Sequence, residues 1–188
     1  MALCLAFGAS GASAQTVPTT ALEYDANGNL TKLTSALPQV TKFEYDALSR
    51  RRKMTDAANV LTNTGYDANG QATSVIDGRN IATNYTIDGL GNLTQTSSQD
   101  TGLTQYTYDE AGNMLSRTDA KQQTTAYKYD ALGRTRLITY ADASTVAFLY
   151  DQGINAVGQL SKITDISGTT EFAYDVFGQC VTETRTIA

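Results

Sequence analysis

From residue 22 onward the chain alternates short apolar-and-aromatic runs with polar turns, and the alternation has a fixed period. The dipeptide Tyr-Asp recurs at Tyr24-Asp25, Tyr45-Asp46, Tyr66-Asp67, Tyr108-Asp109, Tyr129-Asp130, Tyr150-Asp151 and Tyr174-Asp175, with Ile87-Asp88 filling the one gap. The steps from Tyr24 to Tyr150 are 21 residues each, and the last is 24. Two residues before this position lie Leu22, Phe43, Thr64, Tyr85, Tyr106, Tyr127, Phe148 and Phe172. Spacing by two places both side chains on one face of a strand. Four residues after it lie Gly28, Ser49, Gly70, Gly91, Gly112, Gly133 and Gly178. In the irregular unit that starts at Tyr150 the matching glycine is Gly158, four residues late.

These positions predict one hairpin per unit. The Asp ends the strand, its carboxylate accepting hydrogen bonds from backbone N–H groups two or three residues on. The glycine supplies a positive φ without steric cost and closes the loop. The return strand carries Leu30 and Leu33, Met54, Val75, Leu93, Met114, Leu137 and Leu160 among polar neighbours without clean alternation, which leaves open a bulge or a strand buried on both faces. A second polar turn follows, as in Asp77-Gly78-Arg79-Asn80 and Asp119-Ala120-Lys121-Gln122. No i, i+3, i+4 apolar stripe competes, and a lone hairpin is unstable, so neighbouring units must pair, with tyrosine rows packed as ladders. The expected fold is all-β: repeated antiparallel hairpins of 21 residues in a curved or spiralling sheet, with residues 22–181 as an array of about eight units, 15–21 as a linker and 182–188 as a tail.

The core Tyr-Asp-x-x-Gly-[Asn/Arg]-Leu, seen at 24–30 and in part at 129–134, resembles the RHS/YD-repeat family, and the stretch 150–160 is similar to its longer repeat variant. The resemblance covers residues 22–181. It implies a partial β-shell of the kind found in polymorphic toxins, wall-associated proteins and teneurin-like proteins, where such shells enclose an effector or act in cell-surface contact. The partners it implies are other shell segments or an encapsulated effector. It makes Tyr24, Tyr45, Tyr66, Tyr108, Tyr129, Tyr150 and Tyr174, their aspartates with Asp88, and the glycines named above the repeat-defining positions. Two departures stand out. Neither Pro18 nor Pro38 follows an Asp, so the Asp-Pro signature of a self-cleaving core is missing, and only 14 residues follow Tyr174. A fragment of a polymorphic toxin without its core and effector is therefore one expectation, with unpaired edges on the first and last strands.

Composition narrows the chemistry. Among 188 residues there is no His and no Trp, which removes the usual general base, the commonest metal ligand and the Ser-His and Cys-His nucleophile pairs. Fourteen basic against 19 acidic residues give a net charge of −5, which argues against nucleic acid, and the short basic run Arg50–Lys53 reads as a solvated face. A column of single aspartates lacks the ligand density of a calcium β-roll, and no carboxylate pair stands out for hydrolysis. No catalytic, cofactor or metal residues are assigned. A carbohydrate-binding surface protein using the aromatic rows is the alternative reading.

The N-terminus adds a location. Residues 1–14 (MALCLAFGASGASA) are uncharged, apolar at first, and end in Ala12-Ser13-Ala14, which resembles the latter part of a secretory signal peptide although no Lys or Arg precedes Lys32. An exported protein of a bacterial envelope is expected, with no membrane span. Cleavage after Ala14 removes Cys4 and leaves Cys180 without a disulfide partner.

Overall fold

In the computed structural model, residues 19–37 and 39–188 are described. The signal-like leader and most of the linker lie outside them. Sixteen strands and no helix occur among the described residues, and the sheet order of the strands is their order in the sequence. The chain divides into two compact units, one up to Leu61 and one from Thr62. The first holds β1 (Ala21–Tyr24), β2 (Leu30–Thr34), β3 (Val40–Tyr45) and β4 (Arg51–Thr55). The boundary falls one residue into β5 (Leu61–Tyr66). The second continues with β6 (Ala72–Ile76), β7 (Ala82–Ile87), β8 (Leu93–Ser98), β9 (Gly102–Tyr108), β10 (Met114–Thr118) and β11 (Thr124–Tyr129). It ends with β12 (Thr135–Thr139), β13 (Thr145–Tyr150), β14 (Leu160–Asp165), β15 (Gly168–Tyr174) and β16 (Cys180–Ile187).

Register explains why the return strands resist a simple alternating pattern. Each hairpin that carries the Tyr-Asp turn slips by one residue immediately before the Tyr or Ile87 position: Tyr45 opposes Arg51 while Glu44 opposes Lys53, so Arg52 is the extra residue. The same slip occurs at Tyr24, Tyr66, Ile87, Tyr108, Tyr129, Tyr150 and Tyr174. The open alternative is thus decided for the bulge, which re-aims the return strand by one position. Two bulge threonines seal it: Thr31 Oγ1 donates to the Glu23 carbonyl and Thr94 Oγ1 to the Thr86 carbonyl, each at 3.1 Å.

Beyond the bulge the pairing is regular and sorts the faces. One face of the first unit carries Leu22 opposite Leu33, and Phe43 opposite Met54. In the second unit the equivalent positions carry Thr64 opposite Val75, Tyr127 opposite Ile138, and Phe148 opposite Ile163. The reverse face carries cross-strand ion pairs, Glu23–Lys32 (2.7 Å), Glu44–Lys53 (2.8 Å) and Lys162–Glu171 (2.9 Å), or hydroxyl pairs such as Thr107–Ser116 (2.7 Å). Within each unit the strand contacts join sequence neighbours. Among the described residues the buried apolar core is Ala156 alone, 1% exposed. Ladder hydrogen bonds and cross-strand pairs therefore hold this sheet more than a second layer does.

Two boundaries differ from the sequence reading. Residues 182–187, set apart there as a tail, form most of β16 and pair with β15 from Gly168↔Ile187 to Ala173↔Thr182. Their Thr-rich alternation suits a strand but lacks the Tyr-Asp marker. At the other end β1 starts at Ala21, one residue inside the expected linker. Both β1 and β16 are exposed along their whole length.

Candidate functional site: the repeated Tyr-Asp turn

Each turn is built from one aspartate outward. At Asp109, the backbone N–H groups of Ala111 (3.0 Å) and Asn113 (2.8 Å) both donate to Oδ1. The N–H of Gly112, in between, goes to the Asp109 carbonyl at 3.1 Å. The carboxylate thus serves the second and fourth N–H groups, not the second or third, because the intervening amide closes the turn itself. Asp25, Asp46, Asp88, Asp130 and Asp175 repeat the arrangement at 2.8–3.0 Å. At Asp67, Oδ1 accepts from Gln71 N at 2.8 Å.

The second carboxylate oxygen is taken by the residue after the glycine. Asn29 Nδ2, Asn92 Nδ2 and Asn113 Nδ2 donate to the Oδ2 of Asp25, Asp88 and Asp109 at 2.9, 3.1 and 2.9 Å. Arg50 Nε and Arg134 Nε do the same for Asp46 and Asp130, both at 2.7 Å. This is the physical content of Asn or Arg after the glycine. The carboxyls of Asp25 and Asp109 are held below the ordinary 3.8 by the Asn side chains first and backbone N–H groups next. At Asp46 and Asp88 the backbone N–H of Arg50 or Asn92 leads.

The tyrosines join one hairpin to the one before. Tyr45 Oη donates to the Leu30 carbonyl (3.0 Å), Tyr108 to Leu93 (2.9 Å), Tyr129 to Met114 (2.8 Å), Tyr150 to Thr135 (3.0 Å) and Tyr174 to Leu160 (2.7 Å). Each acceptor is the residue that opposed the previous Tyr, or Ile87, at its bulge. Burial raises the pKa of Tyr108, Tyr129 and Tyr174 above 10.0. These phenols are half-buried and committed to backbone, so they act as ties between hairpins; Tyr24 (58% exposed) and Tyr140 (42%) are the exposed tyrosines. Ile87 has the position without the hydroxyl.

The glycines occupy the left-handed region, at φ between +75° and +90° in the Tyr-Asp turns, Gly158 included, and Ser49 holds it at +59°. In the Tyr150 unit the inserted loop changes the Asp. Asp151 itself has φ +63°, and its Oδ1 accepts from Gly158 N at 2.6 Å. Arg134 bridges two turns, with Nε on Asp130 and a terminal nitrogen 2.5 Å from Asp151 Oδ2, while its guanidinium lies 4.3 Å from the Tyr150 ring centroid. The two carboxylates raise the Arg134 pKa, Asp151 most.

This arrangement can hold a sheet together, and its carboxylates are spent on amides and cations. No three His, Cys, Asp or Glu side chains gather as a metal site among the described residues. The basic run is equally engaged: Arg50 on Asp46, Arg52 (3.5 Å) and Lys53 on Glu44, and Arg51 5.7 Å from the Phe43 ring centroid. Cys180 is exposed on β16.

A family model for the Teneurin YD-shell matches residues 11–171. The chain belongs to the Teneurin YD-shell family. Solved structures with the same fold include TcdB2-TccC3, with a TM-score of 0.63 at 16% identity, and its TEV form, with 0.54 at 14%. The chain is covered to 89% in both alignments and spans 11% of each of those chains. No curated protein sequence matches. Within the YD-shell family, the Tyr-Asp turn is the repeated element on which this chain's hairpins are built. Sequence reasoning located Tyr24 through Gly178 but missed the Oδ2 contact and the tyrosine hydroxyl, although both left a signal: Asn or Arg recurring after Gly, and Tyr at seven of eight positions where Phe never substitutes.

Proposed function

We propose that the chain is a non-catalytic structural segment of a YD shell, exported to the bacterial envelope or beyond, and that it serves as part of a wall around an effector or as a surface interaction scaffold. The observation that supports this most is the hydroxyl tie that joins the hairpins of Tyr45, Tyr108, Tyr129, Tyr150 and Tyr174 to the one before. It lets one unit template the next, which suits a wall extended by repetition and uses the aspartates for cohesion. The partners in this reading are further shell segments and an enclosed protein. Export rests on the sequence of residues 1–14 and Ala12-Ser13-Ala14.

The test is a graft. Residues 21–187 replace the matching stretch of the TcdB2-TccC3 chain, and the chimaera is imaged by electron microscopy. A segment of this function gives a closed particle with the sixteen strands in register. A chimaera that fails to assemble, while the free chain folds, overturns the reading. Fractionation of cells producing the chain with and without residues 1–14 tests export: material in the periplasm or medium only when they are present is the expected result.

A further inference from the structure

Among the described residues β16 pairs with β15 alone, and it is the longest strand and exposed throughout. The Ala188 N–H donates to the Ser167 carbonyl at 3.0 Å, one step beyond the Gly168↔Ile187 pair. Bonded and unbonded residues alternate along an antiparallel ladder. Thr182, Thr184 and Thr186 therefore turn their backbone groups toward β15, while Glu183, Arg185 and Ile187 present theirs to the open side. Such an edge is a template for another strand.

The residues of this edge are complementary to themselves. Two copies that meet antiparallel must set outward residues opposite outward residues, so the contact centres on one residue shared by both. Centred on Thr184, the register sets Glu183 opposite the partner's Arg185 on either side of the axis, and Thr182 opposite the partner's Thr186. Val181, the extra residue of the last bulge, and Ile187 fall at the two ends. Centred on Glu183 or on Arg185, a charge faces its own copy, which repels. Glu183 and Arg185 stand on one face of the strand, with Thr184 between them on the other. Glu183 has no ion pair among the described residues. Arg185 gives one terminal nitrogen to Ser167 Oγ at 3.1 Å. Asp165 is held below its ordinary 3.8 by the Ser167 hydroxyl and amide first and by the Arg185 charge after them, and no ion pair joins it to Arg185.

We propose that two copies of this chain pair antiparallel along β16, about a two-fold axis at Thr184, with each Glu183 on the partner's Arg185. The pairing needs β16 alone and does not rest on the wall role proposed above.

The test is sedimentation of the full chain over a range of concentrations. A strand edge buries less than a standard interface, so a reversible dimer in roughly the ten-to-hundred-micromolar range is expected. Glu183→Arg and Arg185→Glu each set like charges across the axis, and each is expected to weaken the dimer roughly ten-fold or more. An equimolar mixture of the two variants restores both ion pairs and is expected to recover the dimer. In a Cys4→Ser background, a spin label on Cys180 lies four residues from the axis in each copy. Paired labels are then expected roughly 25 Å apart, and moving the centre by one residue changes this by about 7 Å. The distance leaves the charges of β16 untouched and decides the matter if a charge variant does not fold. A chain that is monomeric at every concentration, or single variants that associate as the natural chain does, overturns the proposal. So does a mixture that stays monomeric, a label distance that fits another register, or open polymers built from β16 on a second copy's β1.

Discussion

Every hairpin has two neighbours, and the turns that lead to them are built differently. The Tyr-Asp turns combine an aspartate cap and a bulge with, in most units, a glycine and a tyrosine tied to the preceding hairpin. The opposite turns, at Asp56, Asp77, Asp119 and Tyr140, close with the same backbone bonds, and the three aspartates cap them in the same way, but they place Asn59, Asn80, Gln122 and Ala143 at φ of +61° to +66°. Where β2–β3, β6–β7, β10–β11 and β12–β13 pair around such turns, the register does not slip. One edge therefore carries most of the cohesion between hairpins, while at the other Arg79 of one turn pairs with Asp100 of the next. The difference also shows that positive φ alone does not demand glycine here. A non-glycine residue settles near +60°, and glycine relaxes to +72° or beyond.

Acid gives the largest expected effect, because it acts on all the capping carboxylates together. The folded carboxyls of Asp25, Asp46, Asp88 and Asp109 hold protons less tightly than in the unfolded chain, so their contribution is intact above 3.8 and lost as the pH falls through the lower folded values. Thermal melts across that range are expected to show a steep fall below 3.8, and carboxyl NMR titration is expected to place the Asp109 midpoint below it. A flat melting profile in acid removes the caps from the account.

Truncating a ring compares the edges directly. Tyr129→Ala removes a half-buried ring and its bond to Met114, and is expected to cost roughly 2 kcal/mol, below the range for fully buried aromatics. Tyr140→Ala at the opposite edge, from a 42% exposed side chain, is expected to cost about 0.5 kcal/mol. Equal losses in urea unfolding erase the distinction. A subtler version keeps the ring. Tyr129→Phe is expected to lose about 1 kcal/mol, and Ile87→Tyr, which puts a hydroxyl within the reach of the Ala72 carbonyl, to gain up to about 1 kcal/mol.

The smallest effects come from exchanging turn residues. Gly112 sits at φ +83°, and an added Cβ would meet Asn92 Oδ1 at 3.7 Å, an ordinary contact. Gly112→Ala is therefore expected to cost about 1 kcal/mol from backbone conformation alone, and Ala143→Gly at the other edge to gain a few tenths to about 1 kcal/mol. Opposite signs measured by denaturant midpoints confirm that the two edges share a conformation and differ in what is attached to it.

These two edges also mark what was legible in the sequence. The Tyr-Asp edge announced itself, because a cap, a tie and a tight turn each demand one residue type at a fixed spacing. The strands followed from Phe43 and Tyr45 or Tyr127 and Tyr129 two apart. The bulge could only be left open, since Arg52 and Leu115 look like any strand residue and only the partner strand reveals the extra position. The tail was misjudged because 182–187 has strand propensity without a marker. The tyrosine rows were expected as packed ladders, yet the decisive group is the hydroxyl, and its acceptor is a backbone carbonyl that no side chain encodes.

The most direct measurement concerns that hydroxyl. Tyr108, Tyr129, Tyr150 and Tyr174 are changed together to Phe, which keeps every ring and removes four bonds between hairpins. Native-state hydrogen exchange then compares the amides beside the Tyr-Asp turns with those beside the opposite turns. If the hydroxyls tie successive hairpins, exchange in β9 to β16 quickens first at the Tyr-Asp edge, and the opposite turns change little. Unchanged exchange at the Tyr-Asp edge, or an equal rise at both edges, contradicts the claim that one edge carries most of the cohesion.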